Sequence, residues 1–131
     1  MAVEMALLWF GVLTLATLSI EIQTTYIVHG FGFGFSSNRP KVERSGLPLR
    51  ISRAYNNQVE SAAYIVPILA AAVFMGAATP AIETAAMVVV LARLGFVVMY
   101  YSGIHFARVP FFLVSVLALL YMVYALVTSV S

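Results

Sequence analysis

Four blocks of apolar sequence, residues 3–28, 48–74, 81–101 and 110–127, constrain the fold more than any other feature of the chain. An α-helix rises 1.5 Å per residue, so about 20 residues cross the roughly 30 Å of bilayer hydrocarbon. In lipid the backbone N–H and C=O groups find no water, so a spanning segment closes its hydrogen bonds within a helix or a closed barrel. The blocks are predominantly apolar and do not alternate at period two, which favours helices. The chain is 63% hydrophobic and 9% charged, against roughly 45–50% and 25% in soluble domains. At 131 residues it has room for one small bundle and for no separate soluble domain. The expected fold is all-α: an integral membrane four-helix bundle forming a single domain over residues 1–131.

The first block opens with Glu4 and lacks the basic start of a signal peptide, and it exceeds a signal peptide's apolar core. It is expected to be a retained span. The segment "HGFGFGFSSNRPKVERSGLPLR" after it, rich in Gly, Ser, Pro and charge, is expected to be a loop. "GAATP" then forms a tight turn, with Thr79 suited to cap the third helix, Pro80 to its first position and Glu83 to its first turn. "SGIHFARVP" is a short connection, with the fourth helix starting at Pro110. Of the seven basic residues, Arg39, Lys41, Arg44, Arg50 and Arg53 lie in or beside the first loop, and Arg108 lies in the third. Apart from Arg50 and Arg53 at the start of the second block, only Arg93 falls within a span, and the remaining turn and termini have none. The positive-inside rule therefore expects loops one and three in the cytoplasm and both termini on the opposite side.

Several chemistries are excluded. The absence of cysteine removes disulfides, protein thiolates and Cys metal sites. With two histidines, His29 and His105, and no aspartate, no metal centre is expected. The net charge of +2 is accounted for by membrane orientation, so nucleic acid is not an expected partner.

Polar residues inside the spans are ordered. Residues 3, 4 and 7 apart share a helix face. Arg50, Arg53, Asn57, Glu60 and Tyr64 follow spacings of 3, 4, 3 and 4, one stripe near the start of the second span. Arg93, Phe96 and Tyr100 form a second stripe running towards the end of the third span, with Arg108 just beyond. The structural alternative has Arg50 and Arg53 reaching lipid headgroups and Glu60 pairing with one of them, and for Arg50 it explains the position at least as well as a site does. Glu60 and Arg93 lie deeper, where a charge costs at least about 2.5 kcal/mol and normally faces a bundle interior or a wet cavity. Donors in excess of what Glu60 can satisfy suggest a cavity for an anionic, polar ligand.

These residues resemble a known family. Arg53-Ala54-x-x-Asn57-x-x-Glu60 looks like the RAxxNxxE motif of the MAPEG superfamily, the membrane-associated proteins in eicosanoid and glutathione metabolism. Arg93-x-x-Phe96-x-x-x-Tyr100 followed by Arg108 is similar to that family's R-x-x-Y-x-x-x-Y and its catalytic arginine. Phe96 stands where the family often has Tyr, and Asn56 where some members carry Arg. The resemblance implies a homotrimer with glutathione, as co-substrate, bound between neighbouring subunits. By matching position it implies that Arg53, Asn57, Glu60, Arg93 and Tyr100 hold glutathione, and that Arg108 lies nearest the thiol. The implied activity is that of a membrane glutathione transferase or peroxidase-like enzyme acting on a lipophilic small molecule that arrives through membrane lipid. The family also contains a non-catalytic lipid-binding relative, so a binding protein of this fold is the alternative.

A third class is a small proton-coupled multidrug exporter, since such four-span proteins carry a glutamate in their first span, as Glu21 does here. They have short loops and no need of the Arg53/Asn57/Glu60 stripe; Glu21 is expected instead to pair with Arg93 or to hydrogen-bond near Gln23. "GFGFGF" lacks the strand before it and the Lys-Ser/Thr after it that a phosphate loop requires, and is expected to anchor at the interface. Tyr121 and Tyr124 are expected to pack or to line a substrate path, and His29 and His105 to carry no ligand.

Overall fold

A computed structural model describes residues 2–35, 46–77 and 79–130. Four helices fill it: α1 (Val3–Phe35), α2 (Gly46–Phe74), α3 (Pro80–Ser102) and α4 (His105–Val130). All four are long and apolar enough to cross a membrane. The protein is therefore an integral, multi-pass membrane protein of the expected class. Arg39, Lys41 and Arg44, on which much of the expected sidedness rests, lie outside the described residues, as do the side chains of His29 and His105.

The helices run up and down in chain order. Val3 and Phe10 near the start of α1 share one apolar cluster with Leu69 and Ala72 near the end of α2, Ile82 near the start of α3 and Leu126 near the end of α4. The main pairings are α1 with α2 and α3 with α4, and α2 and α3 join the two hairpins. Among the described residues α1 and α4 do not approach each other. Small residues allow this packing. A Cβ at Gly95 would stand 2.5 Å from the Phe111 ring, so glycine lets that ring pack this close to α3 and any side chain there would displace it. The buried hydroxyls of Thr17, Ser61 and Ser115 return their protons to the backbone carbonyls of Thr14, Gln58 and Phe112, so none of these three donors is stranded in lipid.

Helix ends follow the local chemistry, with three departures from expectation. The Thr79 hydroxyl accepts from the Ile82 N–H at 3.2 Å, with Pro80 next and Glu83 in the first turn, as the sequence indicates. Helix α1 does not stop at residue 28. It breaks at Gly30, where φ is 83° and ψ 166°, and resumes helical backbone through Phe35. Glycine tolerates that conformation where a side chain would clash, so the Gly-Phe repeat continues a kinked helix where a loop was expected. Helix α2 begins at Gly46, two residues before Pro48. Helix α4 begins at His105 and carries Pro110 inside it. Proline lacks only the N–H that would return to residue 106, so it did not mark the helix start. Arg108 consequently lies in the first turn of α4, where a loop position was expected.

Candidate functional site

The start of α2 and the end of α3 meet at one end of the bundle, and polar residues gather towards it. Arg50 closes the end of α3. A helix leaves its last four carbonyls without partners. Gly103, left-handed at φ 79°, donates to the Tyr100 carbonyl and Ile104 donates to that of Met99, a Schellman cap. The Tyr101 carbonyl accepts from Arg50 Nε at 3.2 Å, a cation from α2 placed at the negative end of the α3 dipole. Arg50 thus has a structural partner within the chain.

Arg93 is fully buried, about 14 Å along α3 from its last residue at 1.5 Å per residue, which is near mid-span. Its Nε and Nη2 donate to the Gln58 side-chain carbonyl at 3.2 and 3.0 Å, and Nη2 also donates to the Asn57 side-chain carbonyl at 2.7 Å. Nη1 is buried and has no partner. The hydrogen bonds of this cation therefore go to two neutral amides, in place of the carboxylate expected from Glu21. Asn57, with its oxygen committed to Arg93, retains its NH2 group to donate elsewhere.

From Arg93 a ladder of rings leads out of the core. The guanidinium lies 4.6 Å from the centroid of Phe96, Phe96 meets Tyr100 edge-on at 5.5 Å, and the Arg108 guanidinium lies 4.5 Å from the Tyr100 centroid. Phe96 is nearly buried, and its bare face suffices for the cation–π contact. The ladder brings together every residue of the third-span stripe and adds Arg108. A cation in a helix's first turn opposes the dipole by about 0.3–1 kcal/mol. The Tyr100 contact offsets part of that cost and holds Arg108 beside the unpaired N–H groups of α4.

The other expected residues are placed differently. Arg53, Glu60 and Tyr64 are exposed, and Asn57 is half-buried between them and Arg93. The α2 stripe therefore faces outwards from the single chain, not into its interior. The inward face of α2 is a second stripe, Ile51, Ala54, Gln58, Ser61, Ile65, Leu69 and Ala72. Gln58 lies on it, fully buried, and is the site residue that the sequence reading missed. Its signal was an amide interrupting an otherwise small and apolar stripe at spacings of 3 and 4. No group of three or more His, Cys, Asp or Glu side chains able to hold a metal occurs among the described residues.

Beside the outer stripe, Tyr64, Ile68, Phe112, Leu119 and Val123 line an apolar cleft of about 440 Å³ between α2 and α4. Phe112 lies 6.2 Å from Phe96, so the cleft adjoins the ring ladder.

The family model described as "MAPEG family" covers residues 5–128. No curated protein and no solved structure matches the chain. Four apolar helices and a family match over nearly the whole sequence agree, and the chain belongs to the MAPEG family.

Proposed function

We propose that the protein is a membrane glutathione transferase or peroxidase-like enzyme, which uses the thiolate of glutathione to conjugate or reduce lipophilic electrophiles. The observation that carries this reading is the outward α2 stripe. Arg53 and Glu60, of opposite charge, stand exposed on a membrane helix beside the half-buried Asn57 and the buried cation Arg93. Such charges are costly against lipid and are stable where a protein surface or a polar ligand covers them. A second subunit laid against α2 with glutathione between provides both, in keeping with the homotrimer that the family resemblance implies. Loops one and three then face the cytoplasm, where the tripeptide enters.

The chemistry is consistent with the geometry. A free thiol, with a pKa of about 8.5, is mostly protonated at pH 7 and becomes reactive when its thiolate is favoured. Arg108 and the free N–H groups of the first turn of α4 supply positive potential at one place. Arg53 suits a glutathione carboxylate, Glu60 its ammonium group, and the Asn57 NH2 and Tyr100 hydroxyl suit its amides. The apolar cleft beside Tyr64 and Phe112 accepts the lipophilic substrate directly from the bilayer.

Titration of glutathione into the detergent-purified protein, with thiolate absorbance followed in parallel, tests this reading. Binding at millimolar glutathione or below is expected, with a thiolate band at neutral pH. Arg108→Ala is expected to lower the conjugation rate by about 10²–10³-fold, as loss of a charge-stabilising donor does, while glutathione affinity changes less than the rate. Absence of binding at millimolar glutathione overturns the enzyme reading and leaves the non-catalytic binding protein as the alternative.

A further inference from the structure

Arg93 is held by a relay of hydrogen bonds whose direction is fixed at its far end. The Thr14 hydroxyl in α1 donates to the Phe10 backbone carbonyl at 2.9 Å. Its one proton is spent there, so towards Gln58 it can only accept. The Gln58 NH2 group fills that role at 3.1 Å. The carbonyl end of the same amide must then point the other way, where it accepts from both Nε and Nη2 of Arg93. If the amide turned over, its NH2 would face a guanidinium that has no lone pair to offer.

The relay fixes a charge as well as a position. Both acceptors of Arg93, Gln58 and Asn57, are neutral, so neither cancels the cation. Its Nη1 donors remain buried and unfilled. A buried donor of a charged group is costly to leave unpaired, so it favours a ligand that fills it. Threonine and glutamine together thus hold a full positive charge next to the Asn57 edge of the outer stripe, with one donor edge free.

We propose that Thr14, acting through Gln58, is a positioning residue that keeps Arg93 an uncompensated cation with its Nη1 edge free for an anionic group of the ligand. The identity of that ligand as glutathione, with a carboxylate at Arg93, rests on the function proposed above. The positioning itself is independent of the ligand.

The test uses the full-length protein, labelled with ¹⁵N-arginine, in detergent. In the wild type one arginine Nε–H signal is expected to exchange slowly with water and to be lost in Arg93→Lys. Thr14→Val keeps the shape and removes the acceptor, so that signal is expected to exchange at least about tenfold faster. Thr14→Ser restores the hydroxyl and is expected to restore slow exchange. Gln58→Glu keeps an acceptor and supplies a counter-charge, so slow exchange should persist while glutathione affinity falls about tenfold, the effect of roughly 1.4 kcal/mol. Unchanged exchange in Thr14→Val, or no recovery in Thr14→Ser, overturns the positioning role. Should Thr14→Val fail to fold, Gln58→Glu still decides, since wild-type glutathione affinity in that variant overturns the neutral-acceptor claim. If the wild type shows the slow signal and the Thr14 variants behave as expected, yet no glutathione binds, the positioning stands and the glutathione reading fails alone.

Discussion

Val3, Phe10, Leu69, Ala72, Ile82 and Leu126 fill one half of the bundle, around the α2–α3 turn, with apolar side chains. The other half buries Arg93 and leaves Arg53 and Glu60 on its outside. The first half holds the apolar core that all four helices share. The second has unfinished bonds: Arg93 Nη1 and the Tyr101 hydroxyl, both on the last part of α3, are the buried side-chain polar atoms without partners among the described residues. The apolar half is closed in that it leaves no buried polar side-chain atom unpaired among the described residues, and the function proposed above puts glutathione in the open half. That division fits a protein whose ligand must enter a membrane helix bundle without dismantling it.

Three substitutions probe the division, from the largest expected effect to the smallest. Glu60→Ala lies in the open half on an exposed side chain. It is expected to weaken glutathione binding by about 10–100-fold, the scale of a charged hydrogen bond of about 1.5–3 kcal/mol, while the melting temperature in detergent stays unchanged. A large fall in melting temperature would show that Glu60 holds the bundle together, and the comparison would break. Leu69→Ala lies in the closed half and is fully buried. It is expected to destabilise by about 1–2 kcal/mol, below the 2–5 kcal/mol of soluble cores, because lipid replaces water around the removed atoms. Glutathione affinity measured by calorimetry should not change. Arg50→Ala removes one hydrogen bond to the Tyr101 carbonyl, so chemical or thermal unfolding should show a loss of about 1 kcal/mol or less. Its effect on glutathione affinity should fall within twofold, since Arg50 serves the helix end.

The sequence revealed the two halves unequally. The spans were legible because length and apolarity alone decide what can cross a bilayer, and the first was expected to cover residues 3–28, the span found here. The cap at Thr79 and Pro80 was legible because it depends on three adjacent residues. The extension of α1 past Gly30 was not, since glycine-rich sequence is compatible with a loop and with a kinked helix alike. At the site, the 3-4-3 spacing picked out Arg53, Asn57 and Glu60 but not which side of α2 they occupy. A helix carrying polar residues on two stripes gives no sign from spacing alone of which one faces its neighbours. Gln58 lies one residue from Asn57, about 100° around the helix, and so fell off the stripe being followed. The contact of Arg108 with Tyr100 was equally hidden, because it depends on where α4 starts.

The relay from Thr14 to Gln58 to Arg93 also has a direction in time. A ribosome delivers α1 first, then α2, then α3. Each polar side chain therefore emerges after the group that will receive its proton: the Gln58 amide meets a hydroxyl already in the membrane, and the Arg93 guanidinium meets an amide already oriented. An arginine near the middle of a span is the hardest residue in this chain to insert. It arrives third, when the two helices before it can already offer it a socket.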